Sequence, residues 1–164
     1  MSWSQAEFRA LVTKAARGAG APPEQAARFG QAAVVHILSG FEPFELTNAL
    51  EALPDGPILA YPRAIDTALA ESTDDFLQLE RDVSNTLFRS YVLSLPYAVT
   101  FSGGTNVARY DVSLSTPSTG SDTARIVVAE NLICQLSDFA QAILVPDSAE
   151  SRSGGAGAGL DDND

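Results

Sequence analysis

One cysteine, one histidine, one methionine and one tryptophan are all that this 164-residue chain carries of those four residue types. The single cysteine, Cys134, permits no internal disulfide and no cysteine-based zinc site. With His36 the only imidazole, most familiar catalytic and metal-binding constellations have no members to draw on. Cations are scarce as well: 10 Lys and Arg stand against 21 Asp and Glu, a formal charge of −11. A surface of that sign repels phosphate backbones and anionic headgroups, so neither nucleic acid nor membrane is expected as a partner. No run approaches the ~18 apolar residues of a spanning helix. The opening Met1 to Glu7 has neither the basic start nor the apolar core of a signal peptide, and Asp164 closes no prenylation box. A cytoplasmic location is the expectation.

What is present suffices for a folded domain. At 45% hydrophobic and 19% charged residues, disorder throughout is excluded. A chain of this length buries roughly 70% of the surface its unfolded form exposes, without help from a metal or disulfide.

The first 70 residues read as helical. Ser4 and Glu7 have capping-box spacing, and Phe8, Leu11, Val12 and Ala15 then recur at helical intervals until Gly18. Pro22-Pro23 open a second helix, since proline lacks only an amide that would be orphaned there. Ala26, Ala33, Val34 and Ile37 form its apolar stripe, and Gly40 ends it. Pro43 starts a third, through Leu46, Leu50 and Leu53, closed by the Pro54-Asp55-Gly56-Pro57 turn. A fourth is expected over residues 64–71.

Beyond Thr73 the pattern shortens. Residues 76–80, 97–101, 109–115 and 125–129 are rich in β-branched and aromatic side chains and read as strands. Residues 87–95 fit strand or helix equally. A last helix over 130–142 is expected to bury Leu132, Ile133, Leu136, Phe139, Ala140 and Ile143. The expectation is an α+β fold: an N-terminal helical bundle (1–72) packed on a small mixed or antiparallel sheet with a C-terminal helix. Residues 1–145 form the domain and 146–164 a Gly-rich acidic tail.

Chemistry is sparsely signalled. Gly155, Gly157 and Gly159 suggest a phosphate loop, but no strand precedes them, and Asp161 and Asp162 would repel the phosphate. The same acids could gather a hard cation, yet an end segment holds ligands poorly, so no metal and no cofactor are expected. His36 falls at the edge of its helix's apolar stripe, where satisfying local carbonyls is the ordinary role. Cys134 falls on a polar face near Asn131 and Asp138. Arg109, Arg125 and Arg152 are candidates to grip a carboxylate, and Asp74-Asp75 read as helix caps.

Lys14 to Gly20, with the Ala-rich helix that follows to Gly40, resembles the start of an uncharacterised bacterial domain-of-unknown-function family. Val145-Pro146, Glu150 to Arg152, Gly155 to Leu160 and the closing Asp162-Asn163-Asp164 resemble the way that family ends. These segments cover about a third of the chain; residues 60–128 depart from the family. The family has no established activity, so the resemblance implies no catalytic residue, only that Ser151 to Asp164 is a built element. The first three helices also resemble, in pattern, the helical start of the non-Rossmann malate/lactate dehydrogenases, whose His-bearing motif is missing here.

Two functional readings follow. In one, the protein is a non-catalytic binding or accessory module that uses a groove between its helical half and its sheet. In the other, it is an enzyme whose site is completed by the folded-back tail, with Arg152, Gly155, Gly157, Gly159, Asp161 and Asp162 converging on a small polar ligand. In either, the tail is expected to dock on its own domain, on a second copy or on another protein. Its small residues permit close approach, and an arginine would pair with its carboxylates.

Overall fold

The computed structural model describes residues 2–72, 75–119 and 124–143. The fold is mixed α+β: six helices and a small antiparallel sheet among those residues, with helices packed on the sheet.

The capping box forms as the spacing requires. Ser4 opens α1 (Gln5–Gly18) with its hydroxyl accepting from the Glu7 amide, while the Glu7 carboxylate accepts the Ser4 amide at 2.8 Å. Phe8, Val12, Ala15 and Ala16 go into the core. Pro22-Pro23 start α2 (Pro23–Leu38), and Gly40 leaves it at φ +74°, a conformation that disfavours other residues. α3 spans Phe44–Glu51.

α4 (Pro57–Glu71) begins seven residues earlier than the sequence suggests. Pro62, in its second turn, forgoes one intrahelical bond, but its ring is buried with Ile58 and Ile65 on the same face. Packing outweighs the lost bond. The ambiguous stretch resolves as α5 (Thr86–Leu93). The Asn85 side chain accepts the Phe88 amide, and Leu87, Phe88, Ser90, Tyr91 and Val92 are buried at helical spacing.

Three strands form the main sheet in the order β2-β4-β3, with β2 Phe76–Asp82, β3 Tyr97–Gly103 and β4 Val107–Pro117 all antiparallel. The register places Leu77, Val112 and Val99 in one inward row and Leu79, Tyr110 and Phe101 in the next. Phe88 of α5 packs against Tyr110, and Tyr61 of α4 packs edge-on against Phe88 and Tyr91.

The strand expected over 125–129 forms only as β5 (Ile126–Val127), and its partner β1 (Ser2–Trp3) is not signalled in the sequence. The two pair, and Arg125 donates to both the Ser2 hydroxyl and its carbonyl. The two residues of β1 carry no detectable period, so only the pairing reveals them. α6 (Glu130–Gln141) closes the described fold against α1. Leu132 and Leu136 are buried, but Ile143, expected in the core, lies past the helix end and is 44% exposed.

Asp75 is a further correction. No helix follows it; it sits in the bend before β2, where its carbonyl accepts the Leu114 amide. Asp74 lies outside the described residues.

Tyr91 supplies a stability test. It is 2% exposed, and its hydroxyl has no partner among the described residues; burial pushes its ionisation far up. A buried unpaired hydroxyl costs about 1–2 kcal/mol. Tyr91→Phe should therefore leave the fold about 1 kcal/mol more stable in urea unfolding. A loss would show that the hydroxyl is satisfied.

Candidate functional site

The six residues proposed from sequence to bind a ligand (Arg152, Gly155, Gly157, Gly159, Asp161 and Asp162) all lie outside the described residues. The other candidates disperse. Arg109 does find a carboxylate: its Nε and Nη2 donate to Glu80 Oε1 at 2.9 and 2.7 Å across the β2–β4 register. Both side chains are about half exposed, and such a pair contributes little. Arg125 grips no carboxylate: it hydrogen-bonds Ser2 of β1 and acts on Glu7 only through its charge. Cys134 is exposed on α6 beside Asn131 and Asp138, as its polar face suggests.

His36 is fully buried, deeper than an edge-of-stripe position implies. Its Nε2 lies 3.0 Å from the Glu42 carbonyl, and its Nδ1 lies 3.0 Å from Ser90 Oγ. A carbonyl only accepts, so Nε2 carries the proton and the neutral ring offers a lone pair at Nδ1. Ser90 Oγ is also 2.9 Å from the Thr86 carbonyl, so its one proton serves either Thr86 or His36. Thr86 in turn donates to Glu45 at 2.6 Å. This network ties α2, α3 and α5 together, and both imidazole nitrogens are committed within it.

The described carboxylates with shifted pKa values are Glu7 and Asp82, each held low by hydrogen bonds from a neighbouring serine, Ser4 and Ser84. Both are exposed. In neither does desolvation outweigh those hydrogen bonds, as it would in a catalytic acid. No group of three or more potential metal-ligating side chains occurs among the described residues.

The residues that do converge come from four distant places. A cleft of about 620 Å³ opens where the start of α1, the last turns of α2 and α5 and the residue after β4 meet. α1 contributes Ser4, Gln5, Ala6 and Arg9; α2 contributes Gln31, Val34, Val35, Leu38 and its cap Ser39; Leu93, Ser94 and Leu95 leave α5. Ser118 completes the wall, placed by its amide, which donates a hydrogen bond to the Pro96 carbonyl at 3.0 Å.

Two helix C-termini, each with partial negative charge, thus share one cleft with the N-terminal turn of a third helix. Arg9 is the only charged side chain among the described lining residues. Hydroxyls and amides supply donors and acceptors, and branched aliphatic side chains from α2 and α5 supply an apolar wall. Among the described residues, no carboxylate, cysteine or histidine lines it.

No family model, curated protein or solved structure matches this chain.

The geometry explains why the cleft is illegible in sequence. Its residues span from Ser4 to Ser118 with no repeated spacing, and most are serines, glutamines and aliphatics that carry no motif. One trace exists. On α2, Gln31, Val34, Val35 and Leu38 continue one face at helical spacing beyond the core stripe, so that face must meet something.

Proposed function

We propose that the protein is a non-catalytic binding module whose ligand seat is the cleft between α1, α2 and α5. The observation that carries this reading is the cleft's chemistry. It combines hydrogen-bonding groups of both senses, one guanidinium and an apolar wall, and among the described residues it holds no nucleophile paired with a base. Its volume lies in the ordinary range of small-molecule sites, roughly 300–1,000 Å³. The ligand it suits is a small polar molecule with donors, acceptors and a short apolar segment. The acidic tail remains a proposed contact for a second copy or another protein.

The enzyme reading rests on Arg152, Asp161 and Asp162, which lie outside the described residues; the described walls of the cleft carry no carboxylate.

A thermal-shift screen with small zwitterions, carboxylates and amides tests the proposal. Saturable rises in Tm are expected in the native chain and should be lost in Leu38→Trp, which places a large ring at the cleft mouth from a residue already 44% exposed. Ligands that stabilise both proteins equally would remove the cleft from consideration.

A further inference from the structure

Arg28 and Arg89 are the two arginines among the described residues that are not exposed. Arg28 is neutralised: its Nη1 reaches both Asp66 oxygens, at 2.7 and 2.8 Å. Arg89, on α5, has no such relief. Its guanidinium carbon lies 3.7 Å from the centroid of the Phe101 ring and 5.5 Å from that of Phe41. Nε is buried without a partner, and no ion pair or hydrogen bond reaches the group from the described residues. The terminal nitrogens, unlike Nε, are not fully buried.

We propose that Arg89, held by Phe41 and Phe101, is a receptor for a carboxylate borne on an apolar or aromatic body, a site separate from the cleft. The reasoning is one of desolvation and preorganisation. A guanidinium drawn partly out of water needs compensation, and ring quadrupoles supply only part of it. Acids outnumber bases by 21 to 10 in this chain, yet none of the described ones pairs with Arg89.

The two rings are themselves fixed: Phe101 packs on Tyr110 with centroids 5.5 Å apart, and Phe41 on His36 at 5.3 Å. A planar fork locked in this way loses little freedom when it binds two oxygens in parallel. The chain's charge of −11 discriminates between oxyanions. A phosphate dianion meets about twice the repulsion that a monocarboxylate meets. Half-buried Phe41 and Phe101 beside the fork favour an apolar body attached to the carboxylate.

Benzoate is a direct probe, with benzamide as its neutral analogue and inorganic phosphate as the dianion. The readout is the Arg89 Nε–Hε resonance in nitrogen–proton correlation spectra, at ionic strength matched with chloride. Saturable movement with benzoate, at least tenfold weaker with benzamide and with phosphate, is the expected result. Arg89→Lys keeps the charge without the fork and should weaken benzoate at least tenfold in a calorimetric titration; Phe101→Leu should do so by loosening the fork. Arg9→Gln, which alters the cleft, should leave the Arg89 response unchanged, so failure here and failure of the cleft are distinguishable. Equal response to benzoate and benzamide, stronger response to phosphate, or no saturable movement would each overturn the proposal. Should Arg89→Lys fail to fold, Phe101→Leu and the native titration still decide it.

Discussion

His36→Ala is expected to cost about 3–4 kcal/mol of stability, from a fully buried void together with lost partners for Ser90 and the Glu42 carbonyl. The loss should appear as a lower urea midpoint at unchanged m-value. His36→Gln, which keeps a polar group of similar reach, should recover part of it.

The same residue should shape the pH dependence. Burial lowers its pKa below the ordinary 6.5, against the opposing pull of the Glu42 carbonyl and the Glu45 charge. The unfolded chain therefore takes up this proton at a higher pH than the folded chain. The contribution is fully present above the unfolded value and declines as pH falls from there toward the folded value. Glu7 and Asp82, both lowered, keep their contributions until the pH falls further, through the acid range of carboxylates. Stability of the native chain should thus fall as the pH drops from neutrality toward the acid range of the carboxylates. His36→Gln should be flat across that window. An equal slope in both proteins would show that His36 does not govern it.

Gly30→Ala is the second large effect, and here the sign has to be decided between two opposing terms. Gly30 is buried in the middle of α2, where α1 crosses it. A Cβ built there would overlap Thr13 Oγ1 and come within 2.9 Å of the Arg9 carbonyl oxygen. Thr13 is a side chain and can rotate; the Arg9 backbone cannot give way without moving α1. Alanine gains up to about 1 kcal/mol in helix propensity, whereas forcing packed backbones apart costs about 1–3 kcal/mol. A net loss of about 1–2 kcal/mol is expected. Because Arg9 and Gln31 lie on the two helices being separated, affinity at the cleft should fall with stability. A variant as stable as the native chain would mean that α1 shifts freely.

Elements governed by local rules were legible from residues alone. The Ser4–Glu7 box, the Pro22-Pro23 start and the Gly40 stop of α2 act within one or two turns, and strands β2 to β4 declare themselves through β-branched and aromatic runs. α4 was foreshortened because Pro62 obeys a tertiary demand, burial of its ring, over its local preference. Residues 87–95 were undecided because an apolar run satisfies both periods; the Asn85 cap settles the matter, and its partner amide is invisible without coordinates. β1 was missed because two residues have no period.

The candidate site was less legible than the fold. Sequence reasoning looked to the glycines and acids of 151–164, which lie outside the described residues, since unusual composition draws attention. The cleft is built from ordinary serines, glutamines and aliphatics brought together by the packing of α1, α2 and α5. Arg89 is equally unmarked in sequence; only the approach of Phe41 and Phe101 from distant elements distinguishes it.

Residue-resolved mapping of a small-molecule mixture by nitrogen–proton correlation NMR tests the central claim most directly. The account predicts saturable shifts concentrated on Arg9, Gln31, Leu38, Ser94 and Ser118, which line the cleft, with Leu38→Trp abolishing them. Saturable shifts centred elsewhere, or none on the cleft with any member of the mixture, would contradict it.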